Sequence, residues 1–447
     1  MGRRSHSRSL SVWINGQRAG RWTLAARGPM PLQYDQAWVD SKEGRPLSLS
    51  LPFLPGNLQH QGEKVLCYFD NLLPDNDAIR RRVATKFRTG STDPFDLLAA
   101  IGRDCVGAVQ LLGEDDVPEG FDRVEGTAVS DEDIERLLVE TVSPAGTAAG
   151  RDLDDELRIS IAGAQEKTAL LWWNGCWHKP HGATPTTHIL KLPLGLMGGK
   201  QIDFTTSVDN EWLCMTLLKA YGLDAADARI ATFGQQRVLV VERFDRRLAP
   251  NGKWLMRLPQ EDFCQVLGCS PWRKYESDGG PGLKDLFTTL RQSVNAEADL
   301  RTLMAAQVLF WLLRAPDGHA KNFSVRLLPR GRFRLTRLYD VMSAYPVLGD
   351  GPHQWSAYRV RLAMALLGTN RHYEMRSIVR RHFNSTARKL GYGEDAEPVI
   401  QDILKRTAAV VASVQGALPA GFSPQVADTV LGGLERAAKE LEAMPSR

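Results

Sequence analysis

The stretch Asp317-Gly-His-Ala-Lys-Asn322, followed eighteen residues later by Asp340 in Leu338-Tyr-Asp-Val341, decides how this chain is interpreted. An acid and an amide lie five residues apart, and a second acid follows a short apolar strand pattern. This is the order of residues in a kinase-type site, where the first Asp takes the acceptor proton and the Asn and later Asp hold magnesium on ATP. Alone, the motif also suits an ordinary loop, because Asp and Asn bond to nearby backbone groups. The rest of an ATP site must therefore be sought upstream.

The composition is that of an ordinary globular protein. The chain has 447 residues, of which 43% are hydrophobic and 24% charged, with a formal net charge of +4. This length exceeds what one hydrophobic core supports, so we expect two or three domains. The net charge is too small to indicate nucleic-acid binding by itself.

Neither secretion nor membrane insertion is indicated. Residues 1–21 contain arginines but no apolar run before Asn15-Gly16, unlike a secretory signal. The apolar stretch from Leu303 to Leu313 is too short to span a bilayer. The six cysteines are scattered without a C-x-x-C pair, which favours free thiols in a reducing compartment. We therefore expect a cytoplasmic protein with no membrane partner.

The first part of the chain predicts a small α/β domain over residues 1–116, followed by a connector over 117–157. The predicted elements are a hairpin at Asn15-Gly16, a strand over 45–53, and helices over 76–87, 91–101 and 130–140. The connector is acidic and punctuated by glycine and proline, as is typical of a domain boundary.

From residue 158 the pattern follows the order of a kinase N-lobe and then becomes helical. The predicted N-lobe elements are a hairpin at Asn174-Gly175, a strand over 187–192, a helix over 207–221 with Ser207 as N-cap, and strands over 229–233 and 237–241. The predicted C-lobe helices cover 260–267, 283–295, 300–314, 371–389, 396–417 and 423–443. We therefore expect an α+β fold with an N-lobe over 158–244 and a helical C-lobe over 245–447.

A candidate phosphate loop lies before the first N-lobe strand. Its residues are Ala162, Gly163, Ala164, Gln165, Glu166 and Lys167. Small side chains let the backbone approach closely and present N–H groups to phosphate oxygens. The Walker pattern fails because Glu166 stands where its second glycine must be. The alternative is a tight turn with a solvated Glu-Lys pair.

Lys191 lies in a strand pattern with apolar neighbours, and a lysine there needs an anionic partner. ATP phosphates would provide one, with Glu211 on the following helix steadying the lysine. A surface lysine on an edge strand is the alternative.

Glu242, Arg243 and Phe244 follow a strand where the lobes would meet, and can form an adenine hinge. For Phe244, packing into the core is equally compatible with the sequence.

Two further positions lie inside the acid-amide loop. Lys321 can neutralise the transferring phosphoryl group, whereas His319 can either bind the cofactor or orient the loop by hydrogen bonding.

Downstream, the predicted helix over 371–389 contains many arginines and one acidic residue, Glu374. Arginines on one helix face suit phosphate contacts with DNA, and a solvated charged face is the alternative.

Several strings together closely resemble the HipA family of serine/threonine kinase toxins. They are Arg158-Ile-Ser-Ile-Ala-Gly-Ala-Gln-Glu-Lys-Thr168, His188-Ile-Leu-Lys-Leu-Pro193, Val241-Glu-Arg-Phe-Asp-Arg-Arg247, Leu258-Pro-Gln-Glu-Asp262, Lys274-Tyr-Glu-Ser-Asp-Gly-Gly-Pro-Gly282 and the two quoted at the outset. Arg45-Pro-Leu-Ser-Leu-Ser-Leu-Pro52, Phe69-Asp-Asn-Leu-Leu-Pro-Asp75 and Asp93-Pro-Phe-Asp-Leu-Leu98 resemble the N-terminal domain of that family. The likeness runs in order from about Ser11 to about Leu390.

The resemblance implies a protein kinase-like bilobal fold that uses ATP and Mg²⁺. It assigns Asp317 as proton acceptor, Asn322 and Asp340 as magnesium ligands, and Lys191 as the phosphate lysine. The cofactor set also takes in residues 162–167 and 242–244, together with His319, Lys321 and Tyr339. Ser160 matches a self-phosphorylated serine, where added phosphate would repel nucleotide and inactivate the kinase.

The resemblance also implies partners. These are a HipB-type helix-turn-helix antitoxin, operator DNA bound mainly through that antitoxin, and an aminoacyl-tRNA synthetase, notably glutamyl-tRNA synthetase, whose modification stalls translation and induces dormancy. Arg388 and Lys389 match the family's DNA contact. Two alternatives stay open: a non-catalytic co-repressor that clamps the antitoxin on its operator, and an ATP-dependent small-molecule kinase.

Overall fold

The computed structural model describes residues 8–142, 159–163 and 165–446. The elements of its N-terminal unit are β1 (Arg8–Ile14), β2 (Gln17–Leu24), β3 (Leu32–Tyr34), α1 (Gln36–Asp40), α2 (Glu63–Asp70), α3 (Asp77–Lys86), α4 (Pro94–Ile101), β4 (Asp104–Cys105) and β5 (Val109–Gly113). Four strands form an antiparallel sheet in the order β3-β2-β1-β5. The predicted hairpin is present, and Asn15 (φ 47°) and Gly16 (φ 79°) adopt the left-handed backbone that its two-residue turn requires.

The core of this unit lies between the sheet and its helices. Trp22 from β2 stacks on Phe69 from α2, with ring centroids 3.9 Å apart. The predicted strand over 45–53 is wrong, because this segment forms turns. Prolines remove strand donors there, and the Ser48 hydroxyl accepts a hydrogen bond from the Ser50 amide, which stabilises a local turn.

The N-lobe is built on a six-stranded sheet. Its elements are β6 (Gly126–Ala128), α5 (Asp131–Val142), β7 (Ile159–Ser160), β8 (Lys167–Trp173), β9 (Cys176–Pro180), β10 (His188–Lys191), β11 (Gly195–Met197), β12 (Ile202–Phe204), α6 (Ser207–Ala220), β13 (Ala228–Phe233) and β14 (Gln236–Glu242). The sheet order is β13-β14-β10-β8-β9-β6. β6 and α5 lie in the predicted connector yet pack on this sheet, with Ile134 and Leu138 of α5 buried against it. The boundaries proposed at residues 116, 157 and 244 stay predictions.

The start of α6 differs from the prediction in one respect. Thr206 occupies the N-cap position, and Ser207 is the first helical residue. The Ser207 hydroxyl accepts a hydrogen bond from the Leu194 amide at 2.9 Å, so it ties the helix to the preceding loop instead of capping it.

The C-lobe combines helices with short hairpins. Its elements are β15 (Arg246–Leu248), β16 (Leu255–Arg257), β17 (Gln260–Asp262), α7 (Phe263–Leu267), α8 (Leu283–Leu290), α9 (Ala296–Leu312), β18 (Ser324–Leu327), β19 (Phe333–Leu335), β20 (Arg361–Leu367), β21 (Arg371–Glu374), α10 (Arg380–Lys389), α11 (Glu397–Gly416) and α12 (Pro424–Ala443). α9 is buried from Leu303 to Leu312 and contributes this part to the core of the lobe. With the N-terminal unit and the N-lobe, this gives the α+β, kinase-like fold that the sequence predicts.

Two predicted C-lobe helices begin later than expected, and α8 ends at Leu290 instead of at residue 295. Residues 260–262 form β17, which pairs with β18, and only Phe263–Leu267 is helical, capped by Asp262. Arg371–Glu374 forms β21, which pairs with β20, so α10 starts at Arg380. In both places pairing with a distant strand overrides the local helical pattern.

A buried ionic cluster joins the N-terminal unit to the lobes. Asp104 of β4 accepts from Arg243, Arg246 and Arg257 at 3.1, 2.8 and 3.2 Å. All four side chains are at most 8% exposed. Burial alone would raise the pKa of Asp104, but the three guanidinium groups outweigh it and hold the pKa well below its usual range.

The chain shows no helix, within the described ranges, that is long and apolar enough to cross a bilayer. All six cysteines are free; four are buried, Cys269 is half-buried and Cys176 is exposed.

Candidate active site

A cavity of about 370 Å³ lies between the two lobes. The N-lobe contributes the phosphate-loop region, β10, the hinge and α6, and the C-lobe contributes the acid-amide loop. The predicted site residues that line it are Ala162, Gly163, Gln165, Lys167, Lys191, Glu211, Glu242, Arg243, Phe244, Asp317, His319, Lys321, Asn322, Tyr339 and Asp340. Ala164 lies outside the described residues. The fold therefore brings together residues that lie far apart in the sequence.

Lys191 is held between two carboxylates. Its Nζ donates to Glu211 Oε1 and to Asp340 Oδ1, each at 2.7 Å. The Glu211 contact predicted from the sequence is therefore present. Burial alone would lower the pKa of Lys191, but Asp340 and Glu211 outweigh it and raise the pKa. Lys191 consequently stays charged and points into the cavity as a fixed cation.

Asn322 holds the acid-amide loop in shape. Its Nδ2 donates to the carbonyl oxygen of Asp317 at 2.7 Å and to that of Asp340 at 3.2 Å. Because the amide nitrogen is used in this way, Oδ1 is left as a ligand atom. Asp340 has a φ of 60°, a left-handed conformation that is costly for a residue other than glycine. Such strain is typical of residues whose side chains are held in a functional direction.

The oxygen atoms present fit magnesium. Mg²⁺ prefers oxygen ligands, keeps several waters, and is usually bound by one or two carboxylates together with substrate phosphates. The Asp340 carboxylate and the Asn322 amide oxygen supply such a partial set. Burial would raise the pKa of Asp340, but Lys191 and Lys167 lower it to about 2, so this ligand is ionised. In the described part of the chain no group of three or more His, Cys, Asp or Glu forms a metal cage on its own.

Asp317 is fixed by a neighbour that the sequence does not reveal. The Tyr275 hydroxyl donates to Asp317 Oδ1 at 2.5 Å, and His319 Nε2 lies 3.8 Å from the same oxygen. Burial and then the charge of Asp317 raise the pKa of Tyr275, so the phenol stays a donor. The edge of the tyrosine ring also packs on His319, with centroids 4.9 Å apart. The separation of 42 residues between Tyr275 and Asp317 hides this pair from sequence reasoning.

His319 and Lys321 both line the cavity but differ in their contacts. His319 is 3% exposed. Its Nδ1 has no hydrogen-bond partner among the described residues, and burial lowers its pKa. The Lys321 Nζ donates to Asp262 Oδ2 at 2.7 Å and to Asn71 Oδ1 and the Asn71 carbonyl oxygen at 2.8 and 3.1 Å. These contacts use every proton of the ammonium group, so the prediction that Lys321 neutralises the phosphoryl group does not fit this geometry.

The candidate phosphate loop turns at Gly163, whose φ of 109° favours glycine. Lys167 Nζ donates to the Ala162 carbonyl at 2.9 Å and thereby closes the turn. Gln165 Nε2 donates to the Leu192 carbonyl at 2.6 Å and joins the loop to the end of β10. Burial, and then the charge of Lys191, lower the pKa of Lys167 to about 8. Glu166 points elsewhere and pairs with Arg82 of α3.

The predicted hinge uses its three residues differently. The rings of Phe244 and Tyr339 both line the cavity, with centroids 5.9 Å apart, and offer flat faces on which a base can pack. The guanidinium group of Arg243 is turned into the buried cluster with Asp104 and Asp245, so only its backbone can contact a nucleotide. Glu242 ends β14 with an exposed side chain.

Ser160 is completely buried in β7. Its hydroxyl donates to the Leu72 carbonyl of the N-terminal unit at 2.8 Å, and its backbone pairs with Cys105 of β4. A phosphoryl group cannot reach this hydroxyl until β7 leaves β4.

The predicted DNA-contact residues lie away from the cavity. Arg388 and Lys389 are exposed at the C-terminal end of α10, and Lys389 Nζ donates to the Gly368 carbonyl. Arg380, at the other end of α10, is buried and paired with Glu397. Fewer arginines of this helix are therefore exposed to DNA than the sequence predicts.

The sequence matches two family models. Residues 10–112 match the HipA N-terminal domain, and residues 159–413 match the HipA-like C-terminal domain. Y4mE of Sinorhizobium fredii, a protein named as a kinase, is 34% identical over 362 residues, which are 80% of this chain and 82% of the relative. The serine/threonine-protein kinase toxin HipA of Shewanella oneidensis is 29% identical over 349 residues, 75% and 73% of the two chains.

A solved structure has the same fold over nearly the whole length. HipA of Shewanella oneidensis MR-1, in complex with HipB and operator DNA, superimposes with a TM-score of 0.76 and 23% identity over 97% of each chain. The C-terminal family model alone spans more than half of the 447 residues. This chain belongs to the HipA family.

Proposed function

We propose that this protein is an ATP- and Mg²⁺-dependent serine/threonine protein kinase that acts as the toxin of a toxin-antitoxin pair. The observation that carries the proposal is the contact of Lys191 Nζ with both Glu211 and Asp340 at 2.7 Å, inside a cavity that Asp317 and Asn322 also line. A decayed kinase has no need to keep all of these groups. Their joint presence favours catalysis over the alternative of a non-catalytic co-repressor.

Each residue then has a separate task. Lys191 holds the nucleotide phosphates by charge, and Glu211 keeps the lysine extended across the lobe. Asp340 and the amide oxygen of Asn322 hold Mg²⁺, which supplies charge neutralisation for phosphate when bound. Phe244 and Tyr339 pack on the base, and the backbone of the phosphate loop covers the phosphates.

Asp317 acts on the acceptor. Its Oδ1 accepts from Tyr275, so the acceptor hydroxyl bonds to Oδ2 and gives its proton to that oxygen. The acceptor oxygen would then bond to the γ-phosphorus of ATP while the bond from that phosphorus to the β-phosphate oxygen breaks, which releases ADP. We propose a serine acceptor in a translation protein of the aminoacyl-tRNA synthetase class, which rests on the family resemblance alone. Phosphoproteomics after brief expression without the antitoxin tests this part, and absence of any phosphorylated synthetase would remove it.

We also propose that the kinase modifies itself at Ser160. The burial of this hydroxyl against Leu72 implies that modification requires release of β7, and the phosphate would then prevent its return because a dianion cannot be buried beside an unpaired carbonyl. Such a step would leave the loop displaced and the kinase inactive.

The partners we propose are a HipB-type antitoxin and, mainly through it, operator DNA. The solved relative is complexed with both. We propose that Arg388 and Lys389, both exposed at the end of α10, add phosphate contacts. Replacing Arg388 by Glu should weaken operator binding by the complex, as measured by fluorescence anisotropy, without weakening antitoxin binding; unchanged operator affinity would remove this contact.

The central test replaces the proton acceptor. Asp317→Asn should abolish ³²P transfer from ATP to protein while leaving thermal unfolding unchanged. Mass spectrometry of the wild-type chain after incubation with ATP and Mg²⁺ should detect phosphate at Ser160. Undiminished labelling in Asp317→Asn would contradict the proposed mechanism, whereas labelling of free small alcohols or amines in place of proteins would favour the small-molecule kinase.

A further inference from the structure

The N-terminal unit contacts the phosphate loop through a short stretch that we call the anchor segment, residues 71–75, directly after α2. The carbonyl of Leu72, within it, accepts from the Ser160 hydroxyl at 2.8 Å. Asp75, at its end, contacts Gly163 in both directions: its Oδ1 accepts from the Gly163 amide at 2.9 Å, and its own amide donates to the Gly163 carbonyl at 3.3 Å. The loop is therefore bound at its start and at its turn.

The anchor segment is itself fixed to the C-lobe. Lys274 Nζ donates to Asp75 Oδ2 at 2.9 Å, so each carboxylate oxygen of Asp75 has a partner. Asn71 accepts from Lys321, and its Nδ2 donates to the Cys269 carbonyl at 2.8 Å. Asp75 has a side chain that is only 2% exposed. Burial would raise its pKa, but Lys321 and Lys274 outweigh it and keep the pKa well below the usual range.

A second contact, an ion pair, also joins the N-terminal unit to the phosphate loop. Arg82 of α3 pairs with Glu166, three residues after Gly163. The N-terminal unit thus binds β7 at Ser160 and the phosphate loop at Gly163 and Glu166. Within the described residues the backbone of Gly163 makes its hydrogen bonds with Asp75. Loss of Asp75 would leave the turn without this support.

We propose that Asp75 is a positioning residue for nucleotide binding: it holds the phosphate loop closed over the cavity and so couples the N-terminal unit to ATP affinity. The inference rests on the proposed function, in which residues 162–167 cover the ATP phosphates. Release of the loop, which Ser160 phosphorylation requires, must break the Asp75 contacts with Gly163. Asp75 therefore sets how often the loop opens.

The test compares Asp75→Ala with Asp75→Asn, Lys274→Met and the exposed neighbour control Asp77→Asn, all in the full chain. Hydrogen exchange of backbone amides in residues 159–167, measured without nucleotide, should become at least tenfold faster in Asp75→Ala. Asp75→Asn keeps an oxygen for the Gly163 amide but loses its charge, so it and Lys274→Met should show a smaller increase. Asp77→Asn should match the wild type.

ATP affinity gives the second readout. In Asp75→Ala the KM for ATP should rise about tenfold, while kcat at saturating ATP stays within about twofold, because the Asp75 side chain bonds to Gly163 and Lys274 and not to Asp317. Unchanged exchange in a folded Asp75→Ala protein would overturn the proposal. If Asp75→Ala does not fold, unchanged exchange in Lys274→Met would overturn it equally. Faster exchange with unchanged ATP affinity would support the anchoring contact and instead overturn the assignment of residues 162–167 to the ATP phosphates.

Discussion

At the scale of single residues, the proposed proton acceptor is held at two points. The Asp317 carbonyl receives Asn322, and its side-chain Oδ1 receives Tyr275. The first contact fixes the backbone of the loop, and the second fixes the rotation of the carboxylate. Asp317 Oδ2 has no hydrogen-bond partner among the described residues, and in the proposed mechanism it is the oxygen that receives the acceptor serine.

Replacing Tyr275 by Phe should therefore lower kcat with little change in the KM for ATP. A hydrogen bond to a charged group contributes about 1.5–3 kcal/mol, which corresponds to a decrease in kcat of roughly 10- to 100-fold if the contact is fully used in the transition state. Steady-state phosphorylation assays check this. Tyr358→Phe, at an exposed tyrosine in the same lobe, is the matched control, and equal kcat in both variants would contradict the role.

The sequence predicts Lys191, Glu211, Asp317, Asn322 and Asp340 as one group because their order and types match a known chemistry. Tyr275 and Asp75 escape prediction for a physical reason. Each acts on a partner far away in the chain, 42 residues for Tyr275 and 88 for Asp75 with Gly163, and no local pattern encodes such a contact.

At the scale of elements, β17 contributes a buried acid, Glu261, that contacts the turns formed by residues 45–53. Glu261 Oε1 accepts from the Leu49 amide at 2.8 Å, and Oε2 has no hydrogen-bond partner among the residues described. Burial raises the pKa of Glu261 from 4.5 to about 8, against the smaller effects of Ser48 and Leu49. The folded protein therefore prefers the protonated form.

The contribution of Glu261 to the stability of the protein should consequently fall with rising pH. The contribution of protonated Glu261 to the free energy of unfolding is complete below the pKa of the unfolded state, near 4.5. It is lost as the pH rises towards the pKa of the folded state, about 8. Glu261→Gln keeps the neutral form at every pH, so it should be more stable than the wild type at pH 8.5 by on the order of 1 kcal/mol or more, with little difference at pH 4.5.

Thermal unfolding at both pH values measures this difference, with Glu394→Gln, at an exposed position, as control. A Glu261→Gln variant that is less stable than the wild type at pH 8.5 would contradict the assignment. The same region shows where element prediction fails, because alternation of apolar and polar residues predicts a strand over 45–53. Its amides donate instead to the side chains of Tyr34, Glu261 and Ser48, and not to the backbone of a neighbouring strand.

At the scale of the whole molecule, the N-terminal unit, the N-lobe and the C-lobe all contribute to the buried ionic cluster around Asp104. Asp104 comes from the N-terminal unit, whereas Arg243, Arg246 and Arg257 come from the hinge and the start of the C-lobe. Thr186 also donates to Asp104 through its backbone and its hydroxyl. The sequence predicts the separate units from composition and strand order, but it gives no sign that they interlock, because Asp104 and Arg243 lie 139 residues apart.

Asp104→Ala should destabilise the whole chain. Removing one partner of a buried ion pair costs about 3–5 kcal/mol, because the remaining charges lose their compensation. We expect a lower Tm for the N-terminal unit and the lobes together, detected as one transition by calorimetry and by tryptophan fluorescence. Asp115→Asn, at an exposed acid near the end of the same unit, should unfold like the wild type, and separate transitions in Asp104→Ala would show that the units are independent.

The buried ionic cluster also affects the fate of a chain that proteolysis has cut. A break in the chain that removed the N-terminal unit would leave Arg243, Arg246 and Arg257 with Asp245 as the remaining carboxylate of the cluster. The fragment would lose its packing and become a substrate for quality-control proteases, so partial digestion should not release an unregulated enzyme into the cell.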